Sequence, residues 1–177
     1  MIDGVIVQEL KQICDERGKV LHMLRSDSPL FTRFGEIYFS TVNSGAVKAW
    51  KKHFKMAQHF AVPVGKIRLV LYDDRKGSAT YKNVEVLDIG EDCYCLVKIP
   101  PLLWYGFKGI SSTTALVANM TDIPHDPNEA ERLSPFDSKI PYNWDVSKKS
   151  KYCLNYRKWL SSSLRKMLYK FKDYRGR

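Results

Sequence analysis

Short apolar runs alternate with turn residues along the first 120 positions, and this pattern predicts a series of β-strands. The predicted strands span residues 5–7, 20–24, 36–42, 79–87, 93–99 and 114–119. The segments between them are rich in Gly, Pro, Asn and Asp, the residues that favour turns. Residues 8–14 fit a short helical turn as well as a strand. Many short strands without helical periods between them are typical of an antiparallel sandwich or barrel.

The segment from Ala49 to Arg75 predicts two more strands, joined near Gly65. In the first, Lys51, His53 and Lys55 recur at every second position, so an unbroken strand would point them the same way. The second is an apolar run that ends in a charged turn. Ionisable groups on one wall of an otherwise apolar sheet suit a small polar ligand. A solvated strand face is the alternative interpretation.

The pattern changes after residue 120. Residues 121–144 contain four prolines, too many for long regular elements, and we expect an ordered flap over the sheet. Between residues 150 and 172, aromatic and aliphatic positions recur every three or four residues with Lys and Arg between them, which predicts an amphipathic helix. The chain therefore divides into a body with its flap, 1–144, and a basic helical segment, 145–177.

The positive charge lies almost entirely in the C-terminal segment. Residues 145–177 contain eleven Lys or Arg against two Asp, so this segment carries +9 of the net +10 and leaves +1 for the body. Nucleic-acid binding would thus rest on the tail alone and is not favoured. The apolar stripe of the predicted helix suits docking on the body or on a second subunit. Contact with an anionic membrane surface is the other interpretation.

The remaining composition excludes several protein classes. No apolar run reaches 18 residues, so no membrane span is predicted, and the first residues lack the basic and apolar regions of a secretory signal. The four cysteines are too few for a disulfide framework and lack the spacing of a zinc site. We expect reduced thiols in a cytoplasmic protein.

Several short motifs follow one another in a recognisable order. They are Asp15-Glu16-Arg17-Gly18, the segment 45–58, Val64-Gly65-Lys66 with Tyr72-Asp73-Asp74-Arg75, Ile99-Pro100-Pro101 with Gly106-Phe107, and Thr121-Asp122 before Pro127. Together they resemble the cupin-fold nucleotide-sugar epimerases typified by dTDP-4-dehydrorhamnose 3,5-epimerase, over about residues 12–144. The resemblance implies a cupin-type antiparallel β-sandwich or jelly-roll barrel, to which the predicted C-terminal amphipathic helix is added.

The resemblance also implies a reaction, an epimerisation or isomerisation in surface polysaccharide biosynthesis. Its substrate would be a 4-keto-deoxy sugar carried on a nucleoside diphosphate. The ketone acidifies the neighbouring C–H bonds, a base removes a proton, and the enolate is reprotonated from the other face. Such chemistry needs a base, an acid and cations for the diphosphate, and no metal or redox cofactor is expected.

Three residues are the catalytic candidates that the resemblance implies. The family's catalytic histidine aligns with Lys51 without a gap, and with His53 if two extra residues are allowed. A second family histidine is replaced by Tyr105, and the family's acid tyrosine falls near Ala118. His53 titrates near neutral pH and is the better base, whereas Lys51 would need a lowered pKa. Tyr105 would deliver a proton or hydrogen-bond to the ketone oxygen.

Substrate binding is assigned to a second group of residues. Arg17 resembles the family arginine that holds the nucleotide, often across a homodimer interface, and Lys48 takes the place of another arginine. The remaining candidates are Gln58, Arg68, Trp104 and Asn119. Because Lys51 interrupts the paired histidines that metal-binding cupins use, no metal site is expected.

Two alternatives remain open from the sequence. The replaced catalytic positions also fit a sugar-nucleotide-binding or scaffold protein that kept the fold and lost catalysis. The position of His53 also resembles the second histidine of the related sugar 3,4-ketoisomerases.

Overall fold

The computed structural model describes residues 1–145, which contain twelve β-strands and one 3-10 helix. The strands are β1 (Ile6–Glu9), β2 (Gln12–Asp15), β3 (Gly18–Leu21), β4 (Glu36–Val42), β5 (Val47–His53), β6 (Gln58–Val64), β7 (Lys66–Tyr72), β8 (Val84–Gly90), β9 (Cys95–Ile99), β10 (Trp104–Gly109), β11 (Ala115–Thr121) and β12 (Ala130–Arg132). The 3-10 helix spans Pro127–Glu129.

The strands form two five-stranded antiparallel sheets. The first sheet has the order β1-β9-β6-β11-β4, the second has the order β12-β5-β10-β7-β8, and β2 and β3 form a separate hairpin. The apolar faces of the sheets share one core, which includes Phe60, Leu69 and Val97. This confirms the predicted all-β, antiparallel architecture. The helix predicted for residues 150–172, with its proposed dimer, membrane and nucleic-acid contacts, lies outside the described residues.

The strand boundaries correct the sequence interpretation at several points. The stretch from Ala49 to Arg75 belongs to three strands, because β5 ends at His53 and β6 begins at Gln58. Lys55 therefore lies in the turn between them and does not continue the period-two face. Gly65 joins β6 to β7 with a positive φ of 72°. Strands β10 and β12 were not predicted, whereas β2 lies largely in the segment 8–14, for which a strand and a helical turn were both considered.

The proline-rich segment packs on the outer face of the second sheet. Ile140, Tyr142 and Trp144 are buried there, in a cluster with Trp50 and Trp104. The 3-10 helix and β12 precede this packing, and β12 pairs with the edge strand β5. The predicted flap thus covers the outside of the sheet, and its first half adds a strand beside β5. Within residues 1–145, no helix is both long and apolar enough to cross a membrane.

Candidate active site

A cavity of about 380 Å³ opens between the two sheets, near their edge strands β4 and β12. Its volume lies in the range of small-molecule sites. The first sheet contributes Tyr38, Ser40, Phe60, Val117 and Asn119 to its lining, and the second contributes Lys48, Ala49, Trp50, Lys51, Tyr105, Phe107 and Arg132. The lining thus combines an apolar floor with phenol, amide, amine and guanidinium groups, which is a composition suited to a polar, anionic ligand.

An irregularity in β5 brings two lysines onto the same wall of the cavity. Lys51 lies opposite Tyr105 and Lys48 lies opposite Phe107. The two lysines are three positions apart in β5, whereas their partners are two positions apart in β10, so β5 contains one extra residue here. Such a bulge places residues three apart on one face of a strand. Gly106 permits the close approach of the strands, because a Cβ there would lie 2.3 Å from the Cβ of Ala49.

A buried hydrogen-bond chain runs from the cavity wall into the protein through three side chains. Tyr105 is 6% exposed and lines the cavity, and its hydroxyl lies 3.2 Å from His53 Nε2. On the far side of the imidazole, Nδ1 lies 2.5 Å from Glu129 Oε2. The other carboxylate oxygen of Glu129 accepts hydrogen bonds from the backbone N–H groups of Lys55 and Met56. The carboxylate is therefore held rigidly behind His53.

The environment of the chain determines its protonation. Burial alone would raise the pKa of Glu129, but the hydrogen bonds from His53, Lys55 and Met56 outweigh burial and lower it. Burial lowers the pKa of His53, opposed by the hydrogen bond to Glu129 and assisted by the charges of Lys51 and Arg132. An ionised Glu129 thus accepts the proton of Nδ1 from a neutral imidazole, whose Nε2 is left to accept from the Tyr105 hydroxyl.

Tyr105 itself remains a neutral phenol. Burial raises its pKa well above the ordinary value, and the nearby Tyr38 adds to the shift. Because its proton points towards His53 Nε2, the free lone pairs of its oxygen are available to a ligand in the cavity. The arrangement resembles a nucleophile or base activated by a histidine that a carboxylate orients.

Three cations line the cavity together with the phenol of Tyr105. Lys51 lies between Tyr105 on β10 and Arg132 on β12 in the strand register. Burial, followed by the positive charge of Arg132, lowers the pKa of Lys51, which makes its ammonium group a better proton donor. Lys48 donates to the Ser40 hydroxyl at 3.0 Å. Because no carboxylate among residues 1–145 lines the cavity, these cations favour an anionic ligand or an oxyanion.

A fixed amide network forms the opposite wall. Asn119 Oδ1 accepts the backbone N–H of His59, which fixes the direction of the amide. Its Nδ2 then donates to the Tyr38 hydroxyl at 2.7 Å and to Gln58 Oε1 at 2.5 Å. Gln58 is buried beneath Asn119 and is not part of the cavity lining.

The structure separates the remaining substrate-binding candidates from this cavity. Arg17 lies in the turn between β2 and β3, pairs with Asp15, and has a side chain that is 83% exposed. Arg68 makes a bidentate pair with Asp88 of the neighbouring strand β8. Trp104 precedes Tyr105 and so faces the outer side of the sheet, where its indole donates to Asp74. Lys48, Lys51, Tyr105 and Asn119 do line the cavity, and His53 lies directly behind Tyr105.

Sequence reasoning missed Tyr38, Glu129 and Arg132. Glu129 and Arg132 belong to the proline-rich segment, where no strand was predicted and their approach to β5 has no local signal. Tyr38 lay in a predicted strand, but the alternation of β4 gave no sign that its phenol faces a cavity. Asp126, a nearby carboxylate, caps the 3-10 helix that presents Glu129 to His53.

Known proteins with this fold and a related sequence include a dTDP sugar isomerase from Desulfovibrio desulfuricans G20. Its crystal structure is 51% identical to this chain, with a TM-score of 0.81, over 83% of this chain and 94% of that chain. Two further relatives align with a similar share of this chain. The spore coat polysaccharide biosynthesis protein SpsL of Bacillus subtilis strain 168 is 32% identical over 82% of this chain and 98% of its own length. The probable low-salt glycan biosynthesis epimerase Agl13 of Haloferax volcanii is 34% identical over 80% of this chain and 89% of its own.

The family model described as dTDP-4-dehydrorhamnose 3,5-epimerase matches residues 1–158, which include every residue of the cavity and of the buried chain behind it. On this match, and on the two relatives that exceed 30% identity, the chain belongs to the dTDP-4-dehydrorhamnose 3,5-epimerase family.

Proposed function

We propose that this protein is an isomerase that epimerises a 4-keto-6-deoxy sugar linked to a nucleoside diphosphate. The observation that carries the proposal is the hydrogen-bond chain from Tyr105 through His53 to Glu129, which ends at the wall of a cationic cavity. Family membership and the names of the relatives support a role in the synthesis of a polysaccharide or glycan.

In the proposed reaction, His53 is the base and acts through Tyr105. The Tyr105 oxygen takes the proton from the carbon next to the ketone while its own proton passes to His53 Nε2. The electron pair of the broken C–H bond moves to the ketone oxygen and forms an enolate. Glu129 stabilises the imidazolium that results, as an orienting carboxylate does in a catalytic triad. No metal or redox cofactor is part of the proposal.

Lys51 is assigned to the enolate. Its lowered pKa suits an ammonium group that donates to the ketone oxygen as negative charge develops there. Lys48 and Arg132, at the same wall, supply the remaining positive charge for the diphosphate. This assignment makes His53 the base and Lys51 the electrophile, so both residues that the two alignments offered have a role.

A homodimer is part of the proposal, with dTDP as the expected nucleotide. The hairpin of β2 and β3 carries Arg17 away from the body of its own chain and exposes Ile13 and Val20, which are 46% and 59% exposed. A second copy would cover these side chains and bring Arg17 towards a neighbouring cavity. Light scattering should return twice the mass of one chain, and a measured mass of 20.5 kDa would contradict the proposed homodimer.

Deuterium incorporation tests the proposed reaction directly. The protein should be incubated in heavy water with dTDP-linked 4-keto-6-deoxy sugars, and NMR should detect deuterium at a carbon beside the ketone together with an inverted centre. Movement of the ketone from C4 to C3 would instead identify a 3,4-ketoisomerase. Binding of dTDP without any exchange would favour the inactive binding protein.

The rate of this exchange should depend on pH through His53. The base must be neutral, and burial lowers its pKa below the ordinary histidine value of about 6.5. We therefore expect the rate to stay constant from neutral pH to below that value, and to fall only at lower pH as the imidazole is protonated. A decline that is already half complete at or above pH 6.5 would contradict the assignment of His53 as the base.

A further inference from the structure

Epimerisation needs two proton-transfer groups, one on each face of the sugar ring, and the buried chain supplies one of them. Tyr105 belongs to β10 of the second sheet. Among residues 1–145, the lining contributed by the first sheet contains one side chain with a dissociable proton suited to acid catalysis, the phenol of Tyr38 on β4. The two phenols therefore lie on walls of the cavity that belong to opposite sheets.

We infer that Tyr38 is the acid that returns a proton to the sugar on the face opposite Tyr105. This inference rests on the proposed function. It assigns the second catalytic group of the same cavity, with the sugar ring held between the two sheets.

The hydrogen bonds of Tyr38 support a donor role. Its oxygen accepts from Asn119 Nδ2 at 2.7 Å, and Asn119 cannot reverse its amide without losing the bond that its Oδ1 accepts from the His59 N–H. The phenol oxygen is thus an acceptor in the protein, and within the described part of the chain no hydrogen bond to a protein acceptor uses its own proton. That proton is available to a ligand in the cavity.

The charge state of Tyr38 agrees with this role. Burial raises its pKa and outweighs the hydrogen bond from Asn119, which lowers it, so the group is a neutral acid at pH 7. A neutral phenol beside an enolate donates a proton, and it does not compete with His53 for the role of base.

The steps balance without a further reactant. After His53 has taken a proton through Tyr105, the C=C electrons of the enolate form a new C–H bond with the Tyr38 proton, and the ketone is restored. The Tyr38 phenolate regains a proton from solvent at the open side of the cavity, and the imidazolium releases one. The sugar leaves with one inverted centre and one solvent hydrogen.

Tyr38→Phe separates the two halves of the reaction. In heavy water, Tyr105 and His53 of this variant still remove a proton and can return deuterium on the same face. We expect inversion to slow by about 10²–10⁴-fold, the usual contribution of a positioned acid. The rate at which deuterium enters the recovered, uninverted sugar should stay within about threefold of the rate in the unaltered protein.

The matched control is Tyr81→Phe, which removes the same hydroxyl from a tyrosine that is 39% exposed and outside the cavity lining. It should leave both rates unchanged. The assignment would be overturned if Tyr38→Phe inverted the sugar at a rate within about threefold of the unaltered protein. It would also be overturned if the rate of deuterium exchange fell by as large a factor as the rate of inversion. Absence of exchange in the unaltered protein with every sugar tested would overturn the proposed function itself, and the assignment with it.

Discussion

Replacing Tyr105 by phenylalanine is expected to slow deuterium incorporation by about 10²–10⁴-fold. The substitution removes the oxygen through which, in the proposed reaction, a substrate proton reaches His53 Nε2, 3.2 Å away. The ring is kept, so its edge-to-face contact with Phe60 and its place in the core are preserved. The stability cost is that of leaving the buried His53 Nε2 without a donor, about 1–3 kcal/mol. The rate should be measured by NMR under saturating dTDP-sugar, with the thermal midpoint recorded beside it.

Tyr94→Phe is the matched control for this change. Tyr94 is also buried, at 2% exposure, but it packs on the outer face of the first sheet with Leu10 and Leu96. Its loss of a hydroxyl should leave the rate unaltered. If Tyr105→Phe retained exchange within about threefold while binding dTDP normally, the proton would not travel through Tyr105, because a positioned relay contributes far more than that.

The sequence predicted the sheet architecture because the relevant signals are local. Apolar runs such as 36–42 and 114–119 are bounded by turn residues, and they correspond to β4 and β11. Strand β10 escaped prediction because Trp104 to Gly109 contains two glycines and follows two prolines, which together suggest a loop. Its strand conformation depends on pairing with β5 and β7, which are distant in the sequence.

The candidate site was predictable only in part, for the same physical reason. The period of two in β5 linked Lys51 to His53, and Tyr105 was reached through the family resemblance. The bulge opposite Gly106, which turns Lys48 into the cavity, is a property of the strand pair and has no counterpart in a single-strand pattern. Glu129 comes 76 residues after His53, from a proline-rich segment with no signal for such a contact.

An alignment that compares this chain with the family position by position therefore misses a chemical group that the cavity contains. Ala118, near which the family's acid tyrosine falls, has no proton to give, and this replacement was one reason to keep an inactive protein as an alternative. The neighbouring strand supplies a phenol at Tyr38, since β4 pairs with β11 so that Tyr38 lies opposite Asn119. In the reaction inferred above, the acid therefore comes from another strand of the same sheet, and the strand pairing reveals this position where the sequence alignment does not.

Glu129→Gln should reduce the exchange rate by about 10²–10⁴-fold while it leaves the fold intact. The amide oxygen of the glutamine must face the N–H groups of Lys55 and Met56, because an amide NH₂ cannot accept from them. Its NH₂ group then donates to His53 Nδ1, which moves the imidazole proton to Nε2. In that tautomer His53 donates to Tyr105 and cannot take its proton. The same carboxylate-to-amide reversal in a catalytic triad costs about 10⁴-fold.

Two measurements distinguish this tautomer effect from simple damage to the site. Nitrogen NMR of His53 should show the protonated ring nitrogen change from Nδ1 to Nε2 in the variant, while the affinity for dTDP stays the same. Glu131→Gln, on β12 two residues away with a side chain that is 38% exposed, makes the same chemical change outside the cavity and should keep the parent rate. A Glu129→Gln protein that retained the parent rate would show that the carboxylate does not set the proton of His53, and the chain from Glu129 to Tyr105 would then have no catalytic role.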